Sequence, residues 1–167
     1  MAKTDNIPVR AFVTKSDGII NKLINKVIVH YNGKAYEVVA LWDTGATETC
    51  ISHQVVDKLG LIPTGKINVY TPSGAKLCNQ YLTNITLPNN VTINDIVVSD
   101  SEIGEQGIGV LVGMNIINLG DFCVSNYNGK TFFSYRFPSI EHGDFVQKVN
   151  MQRIIGKSHG KGKKKKK

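Results

Sequence analysis

Val38-Val39-Ala40-Leu41-Trp42-Asp43-Thr44-Gly45-Ala46-Thr47 is the stretch from which the rest of the chain is read. Five apolar residues in a row, two of them β-branched, are too short for a helix and read as a strand buried on both faces. That strand delivers a carboxylate, Asp43, at its end. A carboxyl group there is costly to ionise unless its neighbours satisfy it. Thr44 supplies a hydroxyl, and Gly45 lets the backbone approach closely. A carboxylate so placed points to chemistry at Asp43. The competing reading is a strand-end turn residue that caps backbone amides. The Asp-Thr-Gly triplet alone does not separate the two, since it arises by chance in a chain of this length at roughly a few per cent.

Working outward, Val27 to Tyr31 and Ala35 to Trp42 are rich in β-branched and aromatic residues, and Asn32-Gly33 between them predicts a type I′ hairpin. After Asp43, Ser52 is placed as an N-cap for a short helix over His53 to Leu59, with Gly60 as its stop. Ile67 to Tyr70 and Lys76 to Cys78 flank Thr71-Pro72-Ser73-Gly74-Ala75, a second hairpin. Ile85 to Leu87 and Val91 to Val98 flank Asn89-Asn90, a third. Ile108 to Met114 is a short apolar run, Met114 to Leu119 can make one or two helical turns, and Gly120 ends them. A last hairpin joins Phe122–Val124 to Thr131–Tyr135 through Asn128-Gly129. Short strands at regular spacing predict an all-β barrel or sandwich.

In this setting the apolar-apolar-Asp-Thr-Gly-Ala segment resembles the active-site loop of the retropepsin-like aspartic peptidases. Leu111-Val112-Gly113-Met114-Asn115-Ile116-Ile117, followed by Gly120-Asp121, is similar to the second half of that family's signature. Tyr70 to Lys76 stands where the family has its flap. The resemblance runs over roughly residues 25–137. It implies an all-β, single-lobe closed barrel with one or two short helices and a flap hairpin. It also implies an aspartic endopeptidase without cofactor or metal, whose catalytic loop is Asp43, Thr44 and Gly45. Ala46, Thr47, Tyr70, Ser73 and Gly74 would meet a peptide or protein substrate. Leu111, Val112, Gly113 and Asn115 would support the loop from behind. Peptide hydrolysis by carboxylates takes two, one as general base on water and one as general acid. The chain carries one Asp-Thr-Gly, so the resemblance implies a homodimer with Thr44 bonding across its axis. Two features depart from the family: Trp42 is bulkier than the residue usually found there, and the Ser99–Gly109 linker has no assigned role.

The ends lie outside the resemblance. Residues 1–24 read as an N-terminal arm, irregular or an outer strand, before the domain at 25–140. Residues 141–156 read as a C-terminal extension, and 157–167 as a disordered lysine-rich tail. The net charge is +7, from 20 basic and 13 acidic residues. Lys157, Lys161 and Lys163 to Lys167 account for all of it, so the body is neutral. Contact of that tail with nucleic acid or an anionic surface is then weak and salt-sensitive, and a nucleic-acid protein is disfavoured. A second alternative is a catalytically silent binding module on the same fold. No apolar stretch approaches 18 residues, so no transmembrane segment is expected. The start lacks the apolar block of a secretory signal, which reads as cytoplasmic. Cys50, Cys78 and Cys123 read as reduced thiols. His30, His53, His142 and His159 lack metal-ligand spacing.

Overall fold

The structure, a computed structural model, describes residues 8–71 and 74–161. Strands β1 (Arg10–Lys15), β2 (Ile24–Tyr31) and β3 (Lys34–Trp42) come first. β2 and β3 pair without a break from Ile24↔Leu41 to Tyr31↔Lys34. Their turn holds Asn32 and Gly33 at φ of 46° and 75°, the left-handed pair that Asn-Gly favours. β4 (Cys50–Ser52) leads into α1 (His53–Leu59). The Ser52 hydroxyl accepts from the Val55 amide, and Gly60 at φ 69° closes the helix. β5 (Gly65–Thr71) turns into β6 (Gly74–Thr86), which pairs in turn with β7 (Thr92–Ser101). The second and third expected hairpins therefore share one 13-residue strand. β8 (Val110–Val112), α2 (Met114–Ile117), β9 (Asp121–Ser125) and β10 (Phe132–Phe137) follow.

Among the described residues, six strands close a barrel in the order β2-β3-β8-β4-β7-β6. β6 returns to β2 through Ile28↔Thr86, Val29↔Ile85 and His30↔Asn84. β5 hangs outside this ring, held by β6. The expected all-β closed barrel is thus the fold observed. Val29, Ala40, Ile51, Ile85, Val110 and Val112 fill its interior and are wholly buried. Burial of each Val or Ile contributes about 1.5–3 kcal/mol relative to exposure.

One detail of β3 differs from the expectation. Val38, Ala40 and Trp42 are buried, whereas Val39 and Leu41 are only half-buried. The strand has one core face, because successive side chains point to opposite sides of the sheet and only the side carrying Val38, Ala40 and Trp42 is buried. Part of the arm is also more than an arm: β1 pairs with β10 from Arg10↔Phe137 to Lys15↔Phe132, and β10 with β9. This small sheet is seated on the barrel by a cluster of Phe12, Trp42, Phe122, Phe133 and Tyr135, with ring centroids 5.0–6.2 Å apart. Trp42 stacks on Phe122 and donates its indole N–H to Asn25 Oδ1 at 3.2 Å. Its bulk before Asp43 serves to join the two sheets.

The C-terminal segment differs more. α3 (Phe145–Lys161) runs through the expected extension and across the boundary drawn at 157, where disorder was expected. Its start is capped by Asp144 Oδ1, which accepts from the Gln147 amide at 2.9 Å. Gln147, Lys148, Met151, Gln152 and Arg153 are good helix formers, and no Pro interrupts them. The apolar residues fall on no single face, so periodicity did not reveal the helix. Side chains from Phe145 to Ile154 are exposed. Lys163 to Lys167 lie outside the described residues. No helix among the described residues is long and apolar enough to cross a membrane.

Candidate active site

Asp43 follows the last residue of β3, and its amide donates to the Val112 carbonyl at 3.0 Å, extending the parallel ladder with β8 by one step. The loop then turns tightly. Ala46 N–H donates to the Asp43 carbonyl at 3.2 Å, and Gly45 N–H donates to Asp43 Oδ1 at 2.8 Å. A bond to a carboxylate is stronger than one between neutral groups and fixes the side chain's direction. A Cβ on residue 45 would stand 3.1 Å from that same oxygen, so glycine keeps the approach open. Asp43 is half-buried, while Thr44 and Gly45 are exposed.

The loop rests on the segment that starts α2. Met114 N–H donates to the Ala46 carbonyl at 2.8 Å and Asn115 N–H to the Thr47 carbonyl at 3.1 Å. The Asn115 side chain binds the loop from both ends of its amide. Its Oδ1 accepts from the Thr49 amide at 3.0 Å and the Thr49 hydroxyl at 2.7 Å, and its Nδ2 donates to Glu48 Oε2 at 3.1 Å. The same Thr49 hydroxyl accepts from Gly113 N–H at 3.1 Å. Any Cβ at Gly113 would lie 2.4 Å from the Glu48 carbonyl oxygen, so the two backbones meet only across a glycine. Below, the Tyr135 hydroxyl donates to the Ile116 carbonyl at 2.8 Å, tying α2 to the small sheet.

Asp43 opens onto a cleft of about 560 Å³. Gly45, Ala46 and Thr47 line one side with Asp43, and Ile67, Val69 and Tyr70 of β5 line the other. Val97 and Ser99 of β7 and Leu111 of β8 contribute the wall between them. Sequence reasoning placed Asp43, Gly45, Ala46, Thr47, Tyr70 and Leu111 at the site, and the fold gathers all of them around this cleft. Thr44 is not among its lining residues. Val112, Gly113 and Asn115 stand behind the loop. Gly74 pairs with Thr71 at the hairpin end with φ 117°, away from the lining, and Ser73 lies outside the described residues. Sequence reasoning missed Thr49, the apolar β5 and β7 residues, and the Ser99–Gly109 linker. That linker contains a 3-10 turn (Glu102–Gln106), and its Ser101 and Ile103 line the cleft. Cys50 also lines it, but burial pushes its thiol up to about 11, so it stays protonated and unreactive near neutral pH.

A family described as "gag-polyprotein putative aspartyl protease" matches residues 27–118. Among solved structures, the chain is similar to a retropepsin-like aspartic protease from Rickettsia conorii, with 14% identity and TM-score 0.51, over 78% of this chain and 96% of that one. It is also similar to EIAV protease complexed with the inhibitor HBY-793, with 16% identity and TM-score 0.44, over 62% of this chain and 91% of that one. No curated protein matches the sequence.

Proposed function

We propose, from the premise that the chain belongs to the gag-polyprotein aspartyl protease family, that it is an aspartic endopeptidase whose two catalytic carboxylates are the Asp43 residues of a homodimer. The observation that carries this reading is the position of Asp43. It is a carboxylate aimed by Gly45 N–H, on a loop braced by Thr49, Gly113 and Asn115, at the edge of a cleft wide enough for a peptide side chain.

A single carboxylate supplies half of the chemistry. A two-fold partner presenting the same loop supplies the other half, and exposed Thr44 then lies at the axis. Two carboxyl groups that close together cannot both ionise, so they share one proton. The ionised Asp43 takes a proton from water, which attacks the scissile carbonyl carbon. The protonated Asp43 of the other chain gives its proton to the carbonyl oxygen. Collapse of the tetrahedral intermediate returns a proton to the leaving amine. Ile67, Val69, Val97 and Leu111 make the cleft suited to apolar side chains flanking the cut. The β5–β6 hairpin covers the bound peptide and excludes water.

The test is cleavage of an unstructured protein substrate by wild type and by Asp43→Asn, from acidic to neutral pH. Asn keeps the shape but cannot exchange the proton, so the rate is expected to fall at least about a hundredfold. Equal rates in material free of other proteases would contradict the assignment.

A further inference from the structure

The strand β6 belongs to two structures at once. Its C-terminal part is a barrel stave paired with β7, and its N-terminal part is one leg of the hairpin over the cleft. The β6–β7 register begins at Gln80↔Ser99. One step further, antiparallel pairing would set Asn79 opposite Asp100. That pair is not in the ladder, and the Asp100 side chain takes its place. Asp100 Oδ1 accepts from the Asn79 backbone N–H at 2.9 Å. Its Oδ2 accepts from Asn79 Nδ2 at 2.9 Å and from the Tyr81 hydroxyl at 3.1 Å. His53 Nε2, at the start of α1, stands 3.8 Å from Oδ2. Asp100 is 7% exposed, so these bonds are shielded from water. Its neighbours Ser99 and Ser101 line the cleft. Asn79 in turn pairs with Lys66 of β5, so the carboxylate holds the β6 leg directly and the β5 leg only through that pairing, where they leave the barrel.

From this geometry we infer that Asp100 is a positioning residue, whose carboxylate anchors the root of the β5–β6 hairpin and sets how the hairpin stands over the cleft. Another tie, Lys76 Nζ to Glu102 Oε1 at 2.5 Å, lies further out with both side chains exposed, where an ion pair contributes little. The buried carboxylate is the stronger restraint, because charge-assisted bonds to a buried acceptor are costly to lose. The anchor itself stands on the geometry; its consequence for turnover rests on the proposed peptidase activity.

Amide hydrogen exchange in the full chain tests the anchor without reference to activity. In Asp100→Ala, exchange over residues 65–79 is expected to accelerate about tenfold or more, while β2, β3 and β8 exchange as in wild type. Asp100→Asn keeps an acceptor for the Asn79 amide and loses the charge, so it should accelerate the same segment about threefold, and it decides the question if the Ala variant does not fold. On a peptide substrate the expected signature is a rise in KM of about tenfold with kcat within about twofold, since closure must then order a looser hairpin. Unchanged exchange at 65–79, or acceleration spread evenly over the barrel, would overturn the anchor. A peptidase-inactive wild type with selective acceleration would leave the anchor standing and remove the proposed function instead.

Discussion

A hydroxyl buried at Thr49 joins backbone segments that lie 64 residues apart in sequence, by accepting from Gly113 N–H and donating to Asn115 Oδ1. Thr49→Val keeps the volume and removes both bonds. A buried N–H left without a partner costs about 1–3 kcal/mol, so the variant should lose about 2 kcal/mol of stability in urea unfolding. A loss under about 0.5 kcal/mol would show that the loop is braced by its backbone contacts alone. Asp43 and Gly45 were legible in the sequence because their meaning is local: a strand ends, a carboxylate appears, a glycine follows. Thr49 was not legible, since a threonine in a loop reads the same whether its hydroxyl meets water or a remote amide. Trp42 was noticed for its size, but its use became visible only with Phe12, Phe122 and Tyr135 around it.

Turn residues made the hairpins readable at the scale of elements. Asn32-Gly33 and Asn128-Gly129 both adopt positive φ as their types predict. Strand length was less readable, because Cys78 to Gln80 interrupt the alternation while β6 continues through them. α3 escaped for a related reason, its apolar residues being spread around the helix. One element carries a pH signature. Asp121 on β9 accepts from the Ser139 hydroxyl at 2.5 Å, and from Arg136 Nε at 2.8 Å and the Ile140 amide at 3.1 Å. The Ser139 bond first, and Arg136 with it, hold its carboxyl below the usual carboxylate range. A folded-state value below the unfolded one stabilises the protein above the unfolded pKa, and that stability is lost as pH falls through the folded value. Asp121→Asn is therefore expected to melt a few degrees lower near pH 7. The gap to wild type should narrow as pH falls through and below the ordinary aspartate range, where the folded-state carboxyl takes up its proton. A gap independent of pH would mean that shape, rather than charge, is what Asp121 supplies.

For the whole molecule, strand spacing left barrel and sandwich both open, the family resemblance implied the closed barrel, and the edges at which it closes, β2 and β6, came only with the fold. A sequence shows which residues can be strands and leaves open which distant edges meet. The proposed peptidase activity depends on a further meeting, between two copies of Asp43. Subunit mixing tests it directly. Wild type is combined with inactive Asp43→Asn chains at fixed total concentration, under conditions where subunits exchange freely. If each active site needs one Asp43 from each chain, mixed dimers are inactive and activity follows the square of the wild-type fraction. An equal mixture then retains about a quarter of the wild-type rate. Activity that instead falls in direct proportion to the wild-type fraction, with about half remaining in the equal mixture, would show that one chain holds a complete site, and would contradict the shared dyad.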